Sequence, residues 1–146
     1  MKNKGFTLVE IMIVVAIIAL LAAIAIPNLL RARLNANESA AIGAMQTIST
    51  AAQSYRSSNT TYPANLGALG SATPPYIDTV LGCTTPPCGK SGYSFTLAGI
   101  TNQFSATAVP QTQGTSGVRS FYVDESGVIK SCPTSGCSPS SGNPIE

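Results

Sequence analysis

The sequence predicts an α+β chain in which one long N-terminal helix carries a small antiparallel sheet on its second half. Three observations predict it. The apolar residues are concentrated in one unbroken run near the start, an amphipathic helical period continues that run, and short alternating segments rich in turn residues follow. The chain has 146 residues, of which 10% are charged, a fraction well under the usual quarter. It contains no His and no Trp, and its net charge is +2. The commonest general base is therefore missing, together with every His-dependent zinc or haem site, and no basic footprint for nucleic acid is present. No nucleophile–base pair or phosphate loop is visible. Composition argues against an enzyme, and no catalytic residue, cofactor or metal site is assigned.

Residues 11–26 read IMIVVAIIALLAAIAI, without a polar side chain, and Glu10 is the only charge between residues 5 and 30. As a helix, residues 6–26 span roughly 31 Å, the hydrocarbon thickness of a bilayer. Lys2 and Lys4 precede the run and hold that end in the cytoplasm by the positive-inside bias. Residue physics alone leaves three readings open. A cleaved signal peptide would use Ala23-Ile24-Ala25 as its small-x-small site, and the mature chain would be a secreted binding protein. That reading conflicts with the length of the run and with Glu10 inside it. A plain single-span anchor leaves Glu10 unpaired in hydrocarbon, which is costly. The third reading gives Glu10 a partner.

Lys4-Gly5-Phe6-Thr7-Leu8-Val9-Glu10 resembles the prepilin signature of the type IV pilin superfamily. The resemblance runs strongly from Gly5 to about Tyr55, including Pro27 and the following Asn28-Leu29-Leu30-Arg31-Ala32-Arg33, and beyond that it is one of architecture. It implies a pilin fold, a cut by a prepilin peptidase after Gly5, methylation of the new amine on Phe6, and Glu10 as the assembly residue. It also implies a precursor held in bacterial inner-membrane lipid with its head outside the cytoplasm. That precursor is then a homo-oligomeric extracellular filament built by a membrane platform and an ATPase. Physical argument runs the same way. Removing Lys2 and Lys4 from the eight basic residues leaves six, equal to the six acidic ones. The cut creates an ammonium at Phe6 that a neighbouring copy's Glu10 can pair with, and a buried carboxylate is far less costly paired than alone. Glu10 would then set the register between copies.

Four segments are expected: a leader over 1–5, a transmembrane and filament-core helix over 6–27, an amphipathic helix over 28–57, and a loop-plus-sheet head over 58–146. Leu30, Leu34, Ala41, Met45, Ile48, Ala52 and Tyr55 recur mainly at steps of three and four, with a polar gap at Asn37 and Glu38. Glu38 is grouped with the polar residues elsewhere around the axis. The stripe is expected to cover the chain's own core. Pro27 marks the junction of the two halves, where a kink or local melting is expected. As one helix, residues 6–57 would measure roughly 78 Å, against a radius of gyration of about 13 Å for a 100-residue globule. Half of that helix must then project, greasy on every side, and needs lipid or many copies of itself. Ala19 and Ala23 form a small-xxx-small pair suited to close helix approach.

After Tyr55 the composition shifts to Gly, Pro, Ser and Thr, and residues 57–92 read as a linker-like loop. Residues 93–97 and 104–108 alternate as strands, and 119–123 and 128–131 flank a hairpin loop at Asp124-Glu125-Ser126-Gly127. Turn chemistry, rather than a metal site, accounts for Asp124 and Glu125. A sheet of three or four strands is expected. Cys83 and Cys88 share an x₄ spacing with Cys132 and Cys137. A zinc site prefers x₂ spacing, whereas an exported head lies where disulfides form. Three connectivities are possible, and the local pairs Cys83–Cys88 and Cys132–Cys137 are preferred because Pro and Gly help short rings close. Residues 138–146 show no periodicity and are expected to be poorly ordered.

The resemblance implies roles in adhesion, twitching motility or DNA uptake. Its rival within the superfamily is a pseudopilin of type II secretion, whose major members tend to bind calcium through acidic C-terminal loops. Only Asp124, Glu125 and Glu146 lie beyond Asp78 here. The two cysteine pairs also favour a subunit that must survive outside the cell. With 6% aromatic residues and no haem motif, electron conduction is not inferred.

Overall fold

The structure, a computed structural model, describes residues 5–133 and 142–145. Helix α1 runs over Leu8–Asn59, and α2 over Leu66–Gly70. Among the described residues six strands follow: β1 Cys88–Lys90, β2 Tyr93–Gly99, β3 Phe104–Pro110, β4 Ser120–Asp124, β5 Lys130–Cys132 and β6 Asn143–Pro144. The chain divides into two units, Met1–Arg33 and Leu34–Glu146.

In the first unit, every described side chain is exposed apart from the half-buried Ala22. An eighteen-residue window of α1 reaches a mean hydropathy of 3.0 with nothing buried. Its Leu, Ile, Val and Ala residues support helical φ/ψ without any polar face to present. Pro27 lies inside α1, which continues through it, so the expected local melting is absent. One missing bond, from the nitrogen of Pro27 to the carbonyl of Ala23, is too small a loss to end a helix of 52 residues.

The second unit is α+β, with the later turns of α1 packed on an antiparallel sheet in the order β1-β2-β3-β4-β5-β6. Ala41, Met45, Ile48 and Ala52 are fully buried, as the stripe predicts, and Ala44 and Ala51 widen it, whereas Leu30, expected in the same stripe, is 46% exposed in the first unit and does not cover the core. The strands answer with period two. Tyr93, Phe95 and Leu97 of β2 point inward opposite Pro110, Ala108 and Ala106 of β3, and Phe121 and Val123 of β4 complete the layer. Small alanines on β3 beside large rings on β2 and β4 let the inner face fill without overlap.

Three expectations are corrected. Among the described residues the sheet has six strands, not three or four: β5 falls at 130–132 against the expected 128–131, while β1 and β6, with three and two residues, are too short to display an alternation. Residues 57–92 are not a linker: Tyr62, Pro63, Leu66, Leu69, Ile77 and Leu81 are buried core. There α2 is capped by Asn65, whose side-chain oxygen accepts from the N–H of Ala68 at 2.9 Å. Five residues are too few for a helical period to show, though the capping asparagine is legible. Finally, residues 143–145 extend the sheet, with β6 paired to β5 and the Ile145 N–H donating to the Ile129 carbonyl at 2.9 Å. The remainder of the expected tail, 138–141 and 146, lies outside the described residues.

Candidate functional site

Gly5, Phe6 and Thr7 stand ahead of the helix in non-helical backbone, and Phe6 is 83% exposed. Nothing lies within 4 Å of where a side chain on Gly5 would begin. The Gly5–Phe6 peptide is therefore open on a stretch of chain outside the helix. Leu8 is the first helical residue because Thr7 and Glu10 cap it reciprocally. The Thr7 hydroxyl accepts from the Glu10 N–H at 3.3 Å, and the Glu10 carboxylate accepts from the Thr7 N–H at 2.8 Å and its hydroxyl at 2.7 Å. This is a capping box: two helix-end donors are satisfied by the side chains three residues apart. The Thr-x-x-Glu pattern of residues 7–10 is the sequence signature of this cap, so Glu10 has a local role besides its charge. An exposed carboxylate is thus held, pre-oriented, at the start of the apolar helix.

A second constellation ties α1 to the segment before β4. Glu38 is only 7% exposed and faces the head rather than solvent, which corrects its grouping with the outer residues. Its Oε1 accepts from the N–H groups of Val118 at 3.0 Å and Arg119 at 3.1 Å. Its Oε2 takes the Arg119 guanidinium at 2.9 Å through Nε and 2.8 Å through Nη2. Burial on its own would raise the Glu38 pKa. The Val118 N–H, the Arg119 side chain and N–H, and the arginine's charge outweigh that and hold the carboxyl below its ordinary value. Asn37, the other half of the polar gap, donates to the Ser116 carbonyl at 2.9 Å. The Tyr93 hydroxyl donates to the Arg119 carbonyl at 2.8 Å, and burial, aided by the nearby Glu38 charge, pushes this phenol up to about 12. A side chain on Gly117 would enter the Tyr93 ring. The polar gap is therefore a docking point, legible only once the partner segment some eighty residues later is placed beside it.

Cys83 and Cys88 form a disulfide with a Cα–Cα distance of 5.6 Å, the local pair the sequence favours. Cys132 is not free, and its predicted partner Cys137 lies outside the described residues. Near the first bridge, Lys90 Nζ meets Asp78 Oδ2 at 2.7 Å, and that bond holds the Asp78 carboxyl below its usual value. Asp124 serves its hairpin: its Oδ1 accepts from the Ser126 N–H at 3.0 Å and from the Ser126 hydroxyl, and Gly127 takes φ +75°. That is the turn chemistry expected of Asp124 and Gly127.

Residues 1–26 match the family model described as the prokaryotic N-terminal methylation motif. The chain is 46% identical over 70 residues to the Type IV wide pilus major component PilA4 of Thermus thermophilus, covering 47% of this chain and 53% of that protein. It is 42% identical over 71 residues to the Type IV major pilin protein PilA of Myxococcus xanthus, covering 49% and 32% respectively. It is 32% identical over 86 residues to the Type II secretion system core protein G of Dickeya chrysanthemi, covering 59% and 52%. The matched stretches thus span about half, or less, of those relatives.

Proposed function

We propose that this chain, a member of the type IV pilin superfamily, is the structural subunit of a type IV pilus-like surface filament. The observation that carries the reading is the first unit. Over residues 11–26 it is a helix apolar on all sides, with a single carboxylate held at its start beside an open Gly5–Phe6 peptide. Such a surface is stable in lipid or among copies of itself, and in neither case does it need a pocket or a reaction.

In this reading, the chain is made as a membrane precursor with its head on the non-cytoplasmic side. A prepilin peptidase cuts after Gly5, and the new amine of Phe6 is methylated and stays cationic. Glu10 of an incoming copy pairs with that amine, and the apolar helices form the filament core while Pro27 supplies a point at which the helix can bend. The Cys83–Cys88 bridge, and a second at Cys132 and Cys137, staple surface loops of the head. The same assembly needs a membrane platform and an ATPase, and serves adhesion, twitching motility or DNA uptake.

Electron microscopy of filaments sheared from the cell surface tests the reading, with the subunit identified by mass. The expected subunit begins at N-methylated Phe6, whereas an exported chain that starts at Ile26 would end the polymer reading in favour of a secreted protein. A second reading, pseudopilin of a type II secretion system, is favoured by the match to core protein G, which covers the larger share of this chain. Loss of exported enzymes from the medium on deletion of the chain, with surface filaments unaffected, would select it.

A further inference from the structure

The second unit carries a groove between the β2–β3 connection and the β4–β5 turn. The buried Phe104 and Tyr122, 2% and 5% exposed, form its floor, the 67% exposed Ile100 stands at one wall, and Asp124 and Glu125 stand at the other. Such a site fits a partner that offers apolar side chains next to a cation. The other charges of the head are largely engaged at home. Arg119 meets Glu38, Lys90 meets Asp78, and Arg56 stacks 4.7 Å over the Tyr62 ring while bonding to Asn102. Neither Asp124 nor Glu125 stands in either of the salt bridges found among the described residues.

The first unit presents the complementary chemistry. At 100° per residue, Ile26, Leu29, Leu30 and Arg33 follow the i, i+3, i+4, i+7 spacing and share one face of α1. The three apolar members are 65%, 56% and 46% exposed, and Arg33 has no ion-pair partner among the described residues. Arg31 leaves the helix on the far side from that face.

On the reading of the chain as a filament subunit, we infer that the groove of one copy receives the Ile26/Leu29/Leu30/Arg33 face of a second copy. The apolar members pack against Ile100, and Arg33 meets Glu125 and Asp124. Contact between two different surfaces of identical chains is heterologous and generates an open helical array rather than a closed dimer. The pairing is therefore a second interface, outside the apolar core, that fixes which neighbour a head touches. A lipid headgroup phosphate is the competing partner for Arg33, but it accounts for neither the acidic wall nor the single-faced spacing.

The test uses full-length chains expressed in their own cells, with filaments sheared and quantified. Arg33→Glu, and separately Asp124→Lys with Glu125→Lys, each lower filament yield at least about tenfold through like-charge contact. Combining them restores the yield, whereas Arg31→Glu has a smaller effect. Co-expressed Leu29→Cys and Ile100→Cys subunits give a disulfide-linked dimer within filaments that neither gives alone, a readout that does not depend on the charge variants folding. Filaments that form without the cross-link overturn the groove and leave the polymer intact. Equal losses from Arg31→Glu and Arg33→Glu, unrelieved by reversing Asp124 and Glu125, assign the arginines to lipid phosphate and overturn it as well. Absence of filaments from the unmodified chain overturns both this inference and the function it rests on.

Discussion

Glu38 sits on the buried side of α1 with four donors around it, two of them backbone N–H groups that no other side chain reaches. Removing it strands those donors and the Arg119 charge. Cutting one partner from a buried pair costs 3–5 kcal/mol in general. The Arg119 side chain is 47% exposed here, so Glu38→Ala is expected to cost about 2 kcal/mol. Chemical denaturation of a 34–146 fragment checks it. The pH dependence has a definite sign. Glu38 has a lower pKa folded than unfolded, so its contribution is complete above the ordinary value of 4.5 and is lost as pH falls toward the folded value. Glu38→Gln should flatten the acid limb of the stability curve. Tyr93 works in the opposite direction. Its pKa rises from 10.0 to about 12, so its contribution is complete below pH 10 and is lost as pH climbs through that window. Tyr93→Phe should remove this alkaline loss, while also lowering neutral stability by about 1 kcal/mol through the missing bond to Arg119.

At the scale of the element, α1 has two chemistries on one backbone. Its later turns are held by burial: Met45→Ala or Ile48→Ala should each cost 2–5 kcal/mol, typical of a fully buried side chain cut back to Ala, again read by denaturation of the fragment. Its beginning is held by the Thr7–Glu10 cap. Thr7→Val should speed amide exchange at residues 8–10 about fivefold in detergent-solubilised protein, the effect of losing a typical cap. Joining the Cys83 and Cys88 ends of a short loop constrains the unfolded chain, and Cys83→Ser with Cys88→Ser should lower stability by about 2 kcal/mol.

For the whole molecule, the division at Arg33 and Leu34 separates a unit with a core from a unit without one. Residues 34–146 expressed alone should therefore fold and stay monomeric by light scattering. The chain beginning at Phe6 should require detergent or form filaments. A solitary, fully dissolved chain with α1 intact would contradict the polymer reading at its root.

How much of this was legible in the sequence follows physical lines. The apolar run, the helical stripe and the two long strands were legible because each repeats a pattern over seven or more residues, and the Gly5-Phe6-Glu10 spacing is a local signature. The short strands β1 and β6 and the helix α2 were not, because two to five residues carry no period, whereas β5 was legible only through the hairpin turn before it. Nor was the burial of Glu38, whose meaning depends on the backbone N–H groups of residues 118 and 119, brought near only by the fold. Local sequence determined that this chain has a helix too apolar to stand in water and a carboxylate at its threshold, since both depend on neighbours in the chain. Tertiary structure alone decided which polar groups lock the head to that helix and which acidic wall lines the groove, because those pairings join residues far apart along the chain.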